Sequence, residues 1–295
     1  MNLSSSFIQT ISNTFGSNGQ TWLQNLPNLL LTLKEKWQLS NISPIPNMSY
    51  HYVAKAIQHS DNPVVLKIGC DKQLMLRETS TLEYFDGVGA VKIVAFEENF
   101  NALLLEQAIP GHSLKSLYPL EMDRVMNAYA TVVHNIDRHP LQKNEKQPFP
   151  SVAKWLDVFD RAEASIIDHK ILQIAKNKRD ALLSTVKHPK LLHGDLHLDN
   201  ILENQGEWIC IDPQGVVGEI EFEVAAFDIF AFSEIETVST HLFLDRIDKL
   251  AKATNLDPNR LKDWFLVRLV LSAVWSIEDK GDPSKALKLA ALLTA

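Results

Sequence analysis

One short segment of the sequence gathers side chains that are suited to phosphoryl transfer. It reads HGDLHLDN at residues 193–200. Asp195 and Asn200 lie five residues apart, a spacing at which a carboxylate accepts the proton of an attacking hydroxyl while a carboxamide binds a metal ion held between phosphates. Asp212 follows twelve residues later, at the end of an apolar strand pattern, where its carboxylate can bind Mg²⁺ from the other side. These three residues predict a catalytic loop that transfers a phosphoryl group.

A second group lies upstream and could bind the nucleotide. Residues 64–67 read VVLK, which has the form of the V-A-I-K strand that places a lysine on the α- and β-phosphates. Glu78, on a predicted helix eleven residues after Lys67, could pair with this lysine and fix its direction. Glu83 on the same helix is an alternative partner, and a pattern such as VVLK taken alone is also typical of an edge strand with a solvated lysine.

A metal site remains a second interpretation of the HGDLHLDN segment. His193, His197 and Asp199 are residue types that cluster in metallohydrolases. However, the sequence contains no H-E-x-x-H, and the two histidines lie on a predicted loop without helical spacing.

Several absent motifs favour a small acceptor. The sequence has no G-x-x-x-x-G-K-[ST], which excludes a P-loop enzyme, and no G-x-G-x-x-G ahead of Lys67. It also lacks A-P-E, and only about ten residues separate Asp212 from the next predicted helix, too few for an activation loop. A kinase of small molecules therefore fits better than a protein kinase.

Composition is that of an ordinary globular protein. The 295 residues are 45% hydrophobic and 22% charged, with 29 Lys and Arg against 36 Asp and Glu, a formal net charge of −7. This balance disfavours nucleic acid as a partner. Cys70 and Cys210 read as reduced thiols, and Leu29–Leu31 with Leu33 form a cluster far too short for a membrane span. We expect a cytoplasmic monomer or weak dimer that binds neither nucleic acid nor membrane.

The elements that must position these residues follow from hydrophobic periodicity. The first part is strand-rich and the second helical, which predicts an α+β fold with a small β-rich N-terminal lobe, residues 1–107, and a larger helical C-terminal lobe, residues 108–295. The expected strands cover 50–57, 63–68, 91–96, 102–107, 190–192 and 208–211. The expected helices cover 18–38, 74–85, a long helix through 125–136, and then 151–185, 222–236, 241–254 and 257–280.

The motifs also resemble a known family. HGDLHLDN resembles the H-G-D-x-H-x-x-N block of aminoglycoside phosphotransferases and their relatives, and DPQGVVGE at 212–219 is similar to the I-D-P-x-G-x-x-G-[DE] block of the streptomycin kinase and hydroxyurea-resistance branch. Residues 264–289 are similar to the C-terminal helices of that branch, so the resemblance covers nearly the whole chain. It implies a protein-kinase-like fold and an antibiotic-resistance type of enzyme that uses ATP and Mg²⁺ to phosphorylate a hydroxyl of a small molecule, such as streptomycin.

The resemblance implies a role for each matched residue. The family commonly has an aspartate at the position of Glu223, where it braces the catalytic loop, so this support is expected to differ. The implied roles are the catalytic base for Asp195, Mg²⁺ ligands for Asn200 and Asp212, phosphate binding by Lys67 oriented by Glu78, and adenine binding by the backbone of Glu106, Gln107 and Ala108.

The acceptor is the least specified part. Aminoglycosides are polycations, which carboxylates bind through charge-assisted hydrogen bonds, although acidic residues also serve solubility alone. No substrate-binding residue is assigned. A kinase of another metabolite, such as a sugar, an amino alcohol or hydroxyurea, a kinase-fold protein with a protein acceptor, and a nucleotide-binding module without turnover all remain alternatives. The carboxylates considered for a cationic acceptor are Glu219, Asp228, Glu234, Glu278 and Asp279.

Overall fold

The chain folds into two compact units, Met1–Gly111 and His112–Ala295. The computed structural model describes residues 3–46, 48–137, 149–162 and 167–294. In this part of the chain no helix combines enough length and hydropathy to cross a bilayer.

The first unit is built on a five-stranded antiparallel sheet in the order β1-β2-β3-β5-β4. Side chains alternate between the faces of a strand, so Val64, Leu66 and Ile68 enter the buried core on one face, and Lys67 lies on the other. The hairpin of β2 and β3 and the pair of β4 and β5 confirm the strands expected from the sequence. The strands are β1 (Leu39–Pro44), β2 (His51–Gln58), β3 (Asn62–Gly69), β4 (Ile93–Glu97) and β5 (Ala102–Glu106).

Two helices flank this sheet, and the first is longer than expected. Helix α1 (Ser5–Lys36) bends at Gly16, whose φ of 57° lies in the left-handed region. The expected helix over 18–38 corresponds only to its second half. The first half, which the polar sequence does not suggest, begins after the Ser4 side chain that caps it. Residues 43–46 were expected to break the helix; it ends earlier, at Lys36, and Leu39–Pro44 form the edge strand β1, where Pro44 is tolerated. Helix α2 (Lys72–Phe85) is capped by Asp71 and confirms the helix over 74–85.

The second unit is mainly helical, as expected. One expected element is wrong, since residues 222–236 form only a short helix and a later 3-10 turn. Ten of its fifteen residues are apolar, and most of those before Phe232 are buried, so its periodicity cannot separate a helix from buried irregular chain. The expected stretch over 151–185 is divided into three helices, with residues 163–166 outside the described part. The helices are α3 (Met122–Ile136), α4 (Val152–Leu156), α5 (Val158–Arg161), α6 (His169–Ser184), α7 (Ile220–Val224), α8 (Thr240–Thr254), α9 (Pro258–Glu278) and α10 (Ser284–Thr294).

Short strands in the second unit lead directly into the loops that carry polar residues. Strand β6 begins in the first unit and ends in the second, whereas β8 and β9 form one antiparallel pair of the second unit and β7 and β10 form another. The expected strands over 190–192 and 208–211 are confirmed as β7 and β9. The strands are β6 (Pro110–Ser113), β7 (Lys190–Leu192), β8 (Ile201–Asn204), β9 (Glu207–Cys210) and β10 (Val216–Gly218).

Candidate active site

In the first unit, Lys67 and Glu78 form a buried ion pair. The Lys67 Nζ donates to Glu78 Oε1 at 2.8 Å and lies 2.7 Å from Oε2. Both residues are at most 4% exposed, because α2 covers the sheet face on which Lys67 lies. Glu83, the alternative partner, is exposed on the same helix. The arrangement holds one ammonium group in a fixed direction.

Two backbone donors at the end of β5 and directly after it are engaged. The Glu106 N–H donates to the Lys92 carbonyl at 3.0 Å, and the Glu106 Oε1 accepts from the Lys92 N–H at 2.8 Å. The Gln107 N–H donates to the carbonyl of Pro63 at 3.4 Å. Ala108 is buried at 8% exposure.

In the second unit, a buried histidine joins two loops. His193 follows β7, and its Nε2 donates to the Ile211 carbonyl at 2.8 Å, so Nδ1 accepts from the Asp195 N–H at 3.2 Å. Burial lowers the pKa of His193 below its ordinary value, which favours the neutral ring. Both ring nitrogens are therefore occupied and neither can bind a metal. Across the described ranges, no group of three or more His, Cys, Asp or Glu side chains is placed to hold a metal ion.

The same hydrogen-bond network joins Asn200 to Asp195 and to Ile211, the residue before Asp212. The Asn200 Nδ2 donates to the Asp195 carbonyl at 3.0 Å, and the Ile211 N–H donates to the Asn200 carbonyl at 2.9 Å. Asp212 follows Ile211 with a φ of 59°, a left-handed conformation that is uncommon for a residue other than glycine. Asn200 is thus bonded through its backbone to the residue directly before Asp212, and the two residues offer a carboxamide oxygen and a carboxylate as cation ligands.

The Asp195 side chain itself is accessible. Its carboxylate is 45% exposed, and Oδ2 lies 3.6 Å from the Nε2 of His197. The Nδ1 of His197 lies 3.7 Å from the Oδ2 of Asp199. A half-exposed carboxylate on a loop with a hydrogen-bonded backbone is suited to accept a proton from a bound hydroxyl.

Gly194 is required by its surroundings. Its φ is +86°, and an added Cβ would lie 2.9 Å from the Trp155 ring and 3.0 Å from Val216 Cγ1. Its N–H donates to Glu223 Oε2 at 2.8 Å. Glu223, at the position where the resemblance implies an aspartate, therefore contacts this loop through its Oε2 and is buried at 1% exposure.

A cavity of about 350 Å³ adjoins Asp195 within the second unit, and sequence reasoning did not find it. Its lining includes Asp228, Arg268, Trp275 and Lys285. The only signal for it is the helical spacing of polar and aromatic residues on one face of α9, such as Arg268 and Trp275, which buried apolar neighbours obscure.

Of the five carboxylates considered for a cationic acceptor, Asp228 lines this cavity. Its Oδ2 accepts from Lys115 Nζ at 2.7 Å, and Lys285 Nζ lies 3.9 Å from Oδ1. The others are engaged elsewhere or lie at the surface. Glu219 pairs with Arg260, Glu234 pairs with Arg246, and Glu278 and Asp279 are exposed at the end of α9.

Comparison with known proteins agrees with this geometry. Residues 36–280 match the model of the aminoglycoside/hydroxyurea antibiotic resistance kinase family. The chain is 25% identical over 274 residues to streptomycin 6-kinase of Streptomyces glaucescens, covering 90% of this chain and 87% of that protein. It is 24% identical over 267 residues to hydroxyurea phosphotransferase of Kitasatospora aureofaciens, covering 90% and 77%.

Solved structures confirm the protein-kinase-like fold. Aminoglycoside phosphotransferase APH(4)-Ia superimposes with a TM-score of 0.63 at 16% identity, covering 91% of this chain and 98% of that one. Choline kinase LicA of Streptococcus pneumoniae superimposes with a TM-score of 0.61 at 14% identity, covering 90% and 99%. At this identity the likeness concerns the fold, whereas the family match spans most of the sequence. The chain therefore belongs to the aminoglycoside/hydroxyurea antibiotic resistance kinase family.

Proposed function

We propose that this protein transfers the γ-phosphoryl group of ATP to a hydroxyl of a small molecule, with Asp195 as the catalytic base. The observation that carries the proposal is the network around His193, which holds Asp195, Asn200 and the segment before Asp212 in one arrangement. Such positioning matters because phosphoryl transfer needs little covalent chemistry from the protein.

The first unit supplies the nucleotide contacts in this proposal. Lys67, oriented by Glu78 at 2.7 Å, binds the α- and β-phosphates. The N–H groups of Glu106 and Gln107 already donate to the carbonyls of Lys92 and Pro63. We therefore assign to the N–H of Ala108 the role of donating a hydrogen bond to the adenine. A solved relative of this fold, a variant of APH(4)-Ia, was crystallised with AMP-PNP and hygromycin B, which supports ATP as the phosphoryl donor.

The residues fit a magnesium ion. Mg²⁺ binds hard oxygen ligands and takes one or two protein groups together with substrate phosphates. The Nδ2 of Asn200 is held by the Asp195 carbonyl, which leaves its Oδ1 as one ligand, and the carboxylate of Asp212 supplies the other in this proposal. When bound there, the ion neutralises the charge that develops on the phosphates.

The proposed reaction balances without a further reactant. The acceptor oxygen forms a bond to the γ-phosphorus as its proton passes to the Asp195 carboxylate, and the bond between the γ-phosphorus and the β–γ bridging oxygen breaks to release ADP. The proton then leaves Asp195 to solvent, to which this side chain is open at 45% exposure.

The cavity beside Asp195 is the proposed acceptor site, and an aminoglycoside of the streptomycin type is the first acceptor to test. Streptomycin 6-kinase among the relatives supports this choice, as does the Asp228 carboxylate in the cavity wall. A smaller acceptor with fewer positive charges is a second candidate. Lys115 and Lys285 already lie beside Asp228, and about 350 Å³ is near the lower end of small-molecule sites.

The test is ADP release from Mg²⁺-ATP with a panel of aminoglycosides, hydroxyurea and small amino alcohols, followed by mass spectrometry of the acceptor. We expect one acceptor class to gain a phosphoryl group at a rate that Asp195→Ala abolishes while ATP binding is retained. Phosphorylation that persists in Asp195→Ala would contradict the assigned base. Stoichiometric ATP binding without transfer to any acceptor would favour the binding-module alternative.

A further inference from the structure

Arg268 is a buried charge in the middle of α9 that lines the proposed acceptor cavity but has no role in the proposed reaction so far. Its side chain is 8% exposed and lies over the Phe222 ring, 4.6 Å from the centroid, with Trp275 at 5.8 Å. Burial lowers the pKa of Arg268, and the negative charge of Glu223 opposes this shift. Burying a guanidinium is costly unless it makes specific hydrogen bonds, so a buried hydrogen-bond partner is expected.

The partner is the carbonyl of Gly194, the residue directly before Asp195. Arg268 Nη2 donates to this oxygen at 2.9 Å in a buried setting. Gly194 is therefore held at both its backbone groups, because its N–H donates to Glu223 Oε2 at 2.8 Å.

The planar peptide bond between Gly194 and Asp195 links Arg268 to Asp195. The carbonyl of Gly194 and the N–H of Asp195 belong to one rigid peptide plane. Arg268 binds the oxygen side of this plane at 2.9 Å, and the Nδ1 of His193 accepts from the N–H side at 3.2 Å. Hydrogen bonds on opposite edges prevent rotation of the plane, and this rotation would redirect the Asp195 side chain.

We propose that Arg268 is a positioning residue that sets the orientation of Asp195 through the Gly194–Asp195 peptide; its kinetic consequence rests on the proposed function. The planar guanidinium stacked on Phe222 is suited to this role because its donors have fixed directions. A lysine would keep the charge but present it from a flexible stem, so the proposal distinguishes arginine from lysine.

Arg260 provides the matched control on the same helix. Its Nε and Nη2 each donate to the Glu219 carboxylate at 2.7 Å, and it also bonds Thr185 and the Leu182 carbonyl. None of these partners belongs to residues 193–200. Arg260→Gln therefore removes hydrogen bonds that tie α9 to its neighbours without touching the catalytic loop.

The first measurement compares kcat and KM for ATP in Arg268→Gln, Arg268→Lys and Arg260→Gln, at a temperature well below the unfolding midpoint of each. We expect Arg268→Gln to lower kcat about 10- to 100-fold, the size of effect that a displacement of about 1 Å produces, with KM for ATP unchanged. Arg268→Lys should retain more of kcat, and Arg260→Gln should lower the unfolding midpoint while kcat is kept. Equal kcat in Arg268→Gln and Arg260→Gln would overturn the proposal. If Arg268→Gln does not fold, Arg268→Lys is compared with Arg260→Gln instead.

A second measurement does not depend on turnover. Amide hydrogen exchange at Asp195, whose N–H bonds His193, should be faster in Arg268→Gln than in the wild type and unchanged in Arg260→Gln. Absence of transfer in the wild-type protein would refute the proposed function alone, and the exchange data would still decide the role of Arg268. Unchanged exchange at Asp195 in Arg268→Gln would refute the positioning role whatever the kinetics.

Discussion

Replacement of Gly194 by alanine tests the packing of the catalytic loop, and the chain offers a matched control. Gly194 and Gly206 have almost the same backbone conformation, with φ of +86° and +88°. Gly206 lies in the tight turn between β8 and β9 and has nothing within 4 Å of an added Cβ, whereas at Gly194 the Trp155 ring would be 2.9 Å away. The two substitutions therefore share the backbone strain and differ in the clash.

The magnitudes follow from these two components. A left-handed conformation costs an L-residue about 1–2 kcal/mol, and inserting a methyl group into a packed core costs about 1–3 kcal/mol. Gly206→Ala should therefore lower the free energy of unfolding by about 1–2 kcal/mol, and Gly194→Ala by about 2–5 kcal/mol. The clash also displaces the residue before Asp195, so only Gly194→Ala should reduce phosphoryl transfer.

Urea unfolding at equilibrium gives the free energies, and ADP release below the unfolding transition gives the activities. Equal destabilisation in the two variants would show that the Trp155 contact does not constrain Gly194. Full activity in Gly194→Ala would show that the loop tolerates displacement there, against the role assigned to this segment.

Three further predictions concern the ionisable groups. Burial lowers the pKa of His193 in the folded state. The stabilisation that depends on the neutral ring should therefore be complete above about pH 6.5 and be lost as the pH falls toward the lower pKa of the folded state. His193→Gln should remove this part of the dependence of stability on pH, and a profile identical to that of the wild type would contradict the prediction. Glu78→Gln should raise KM for ATP about tenfold because Lys67 loses its charged partner at 2.7 Å. Steady-state kinetics measure this, with substitution of the exposed Glu83 by Gln as the control, and an equal KM in the two variants would contradict the prediction. Asp228→Asn should raise KM about tenfold for a cationic acceptor and leave a neutral acceptor unaffected, and an equal change for both acceptors would remove Asp228 from the acceptor site.

Local patterns predicted the elements whose side chains alternate or repeat regularly. The hairpin of β2 and β3 was predictable because two short runs rich in β-branched and apolar residues flank a polar turn. The first half of α1 was not, since its Ser- and Asn-rich sequence lacks a helical signal and its buried Phe7 and Ile11 are held by packing on the sheet. The chain after α7 was expected to be helical because its many apolar residues match any periodicity.

The residues of the candidate site also differ in whether local sequence patterns predict them. Spacing along the chain predicted the groups in residues 193–212 and the pairing of Lys67 with Glu78, because these positions are close in sequence or lie on adjacent elements. The cavity residues Asp228 and Arg268 are forty residues apart and meet only when α9 packs beside the segment after α7. Their relation depends on tertiary packing, which no local pattern encodes.

The most direct test of the central claim is single-turnover phosphoryl transfer by the wild-type protein and Asp195→Asn, with ATP affinity measured on the same samples. Asparagine keeps the shape of the side chain but cannot accept the proton. The account predicts that Asp195→Asn lowers the rate of transfer by about 10²- to 10⁴-fold while the Kd for ATP stays within about twofold of the wild type, less than 1 kcal/mol. Transfer by Asp195→Asn at the wild-type rate would contradict the claim that Asp195 is the catalytic base.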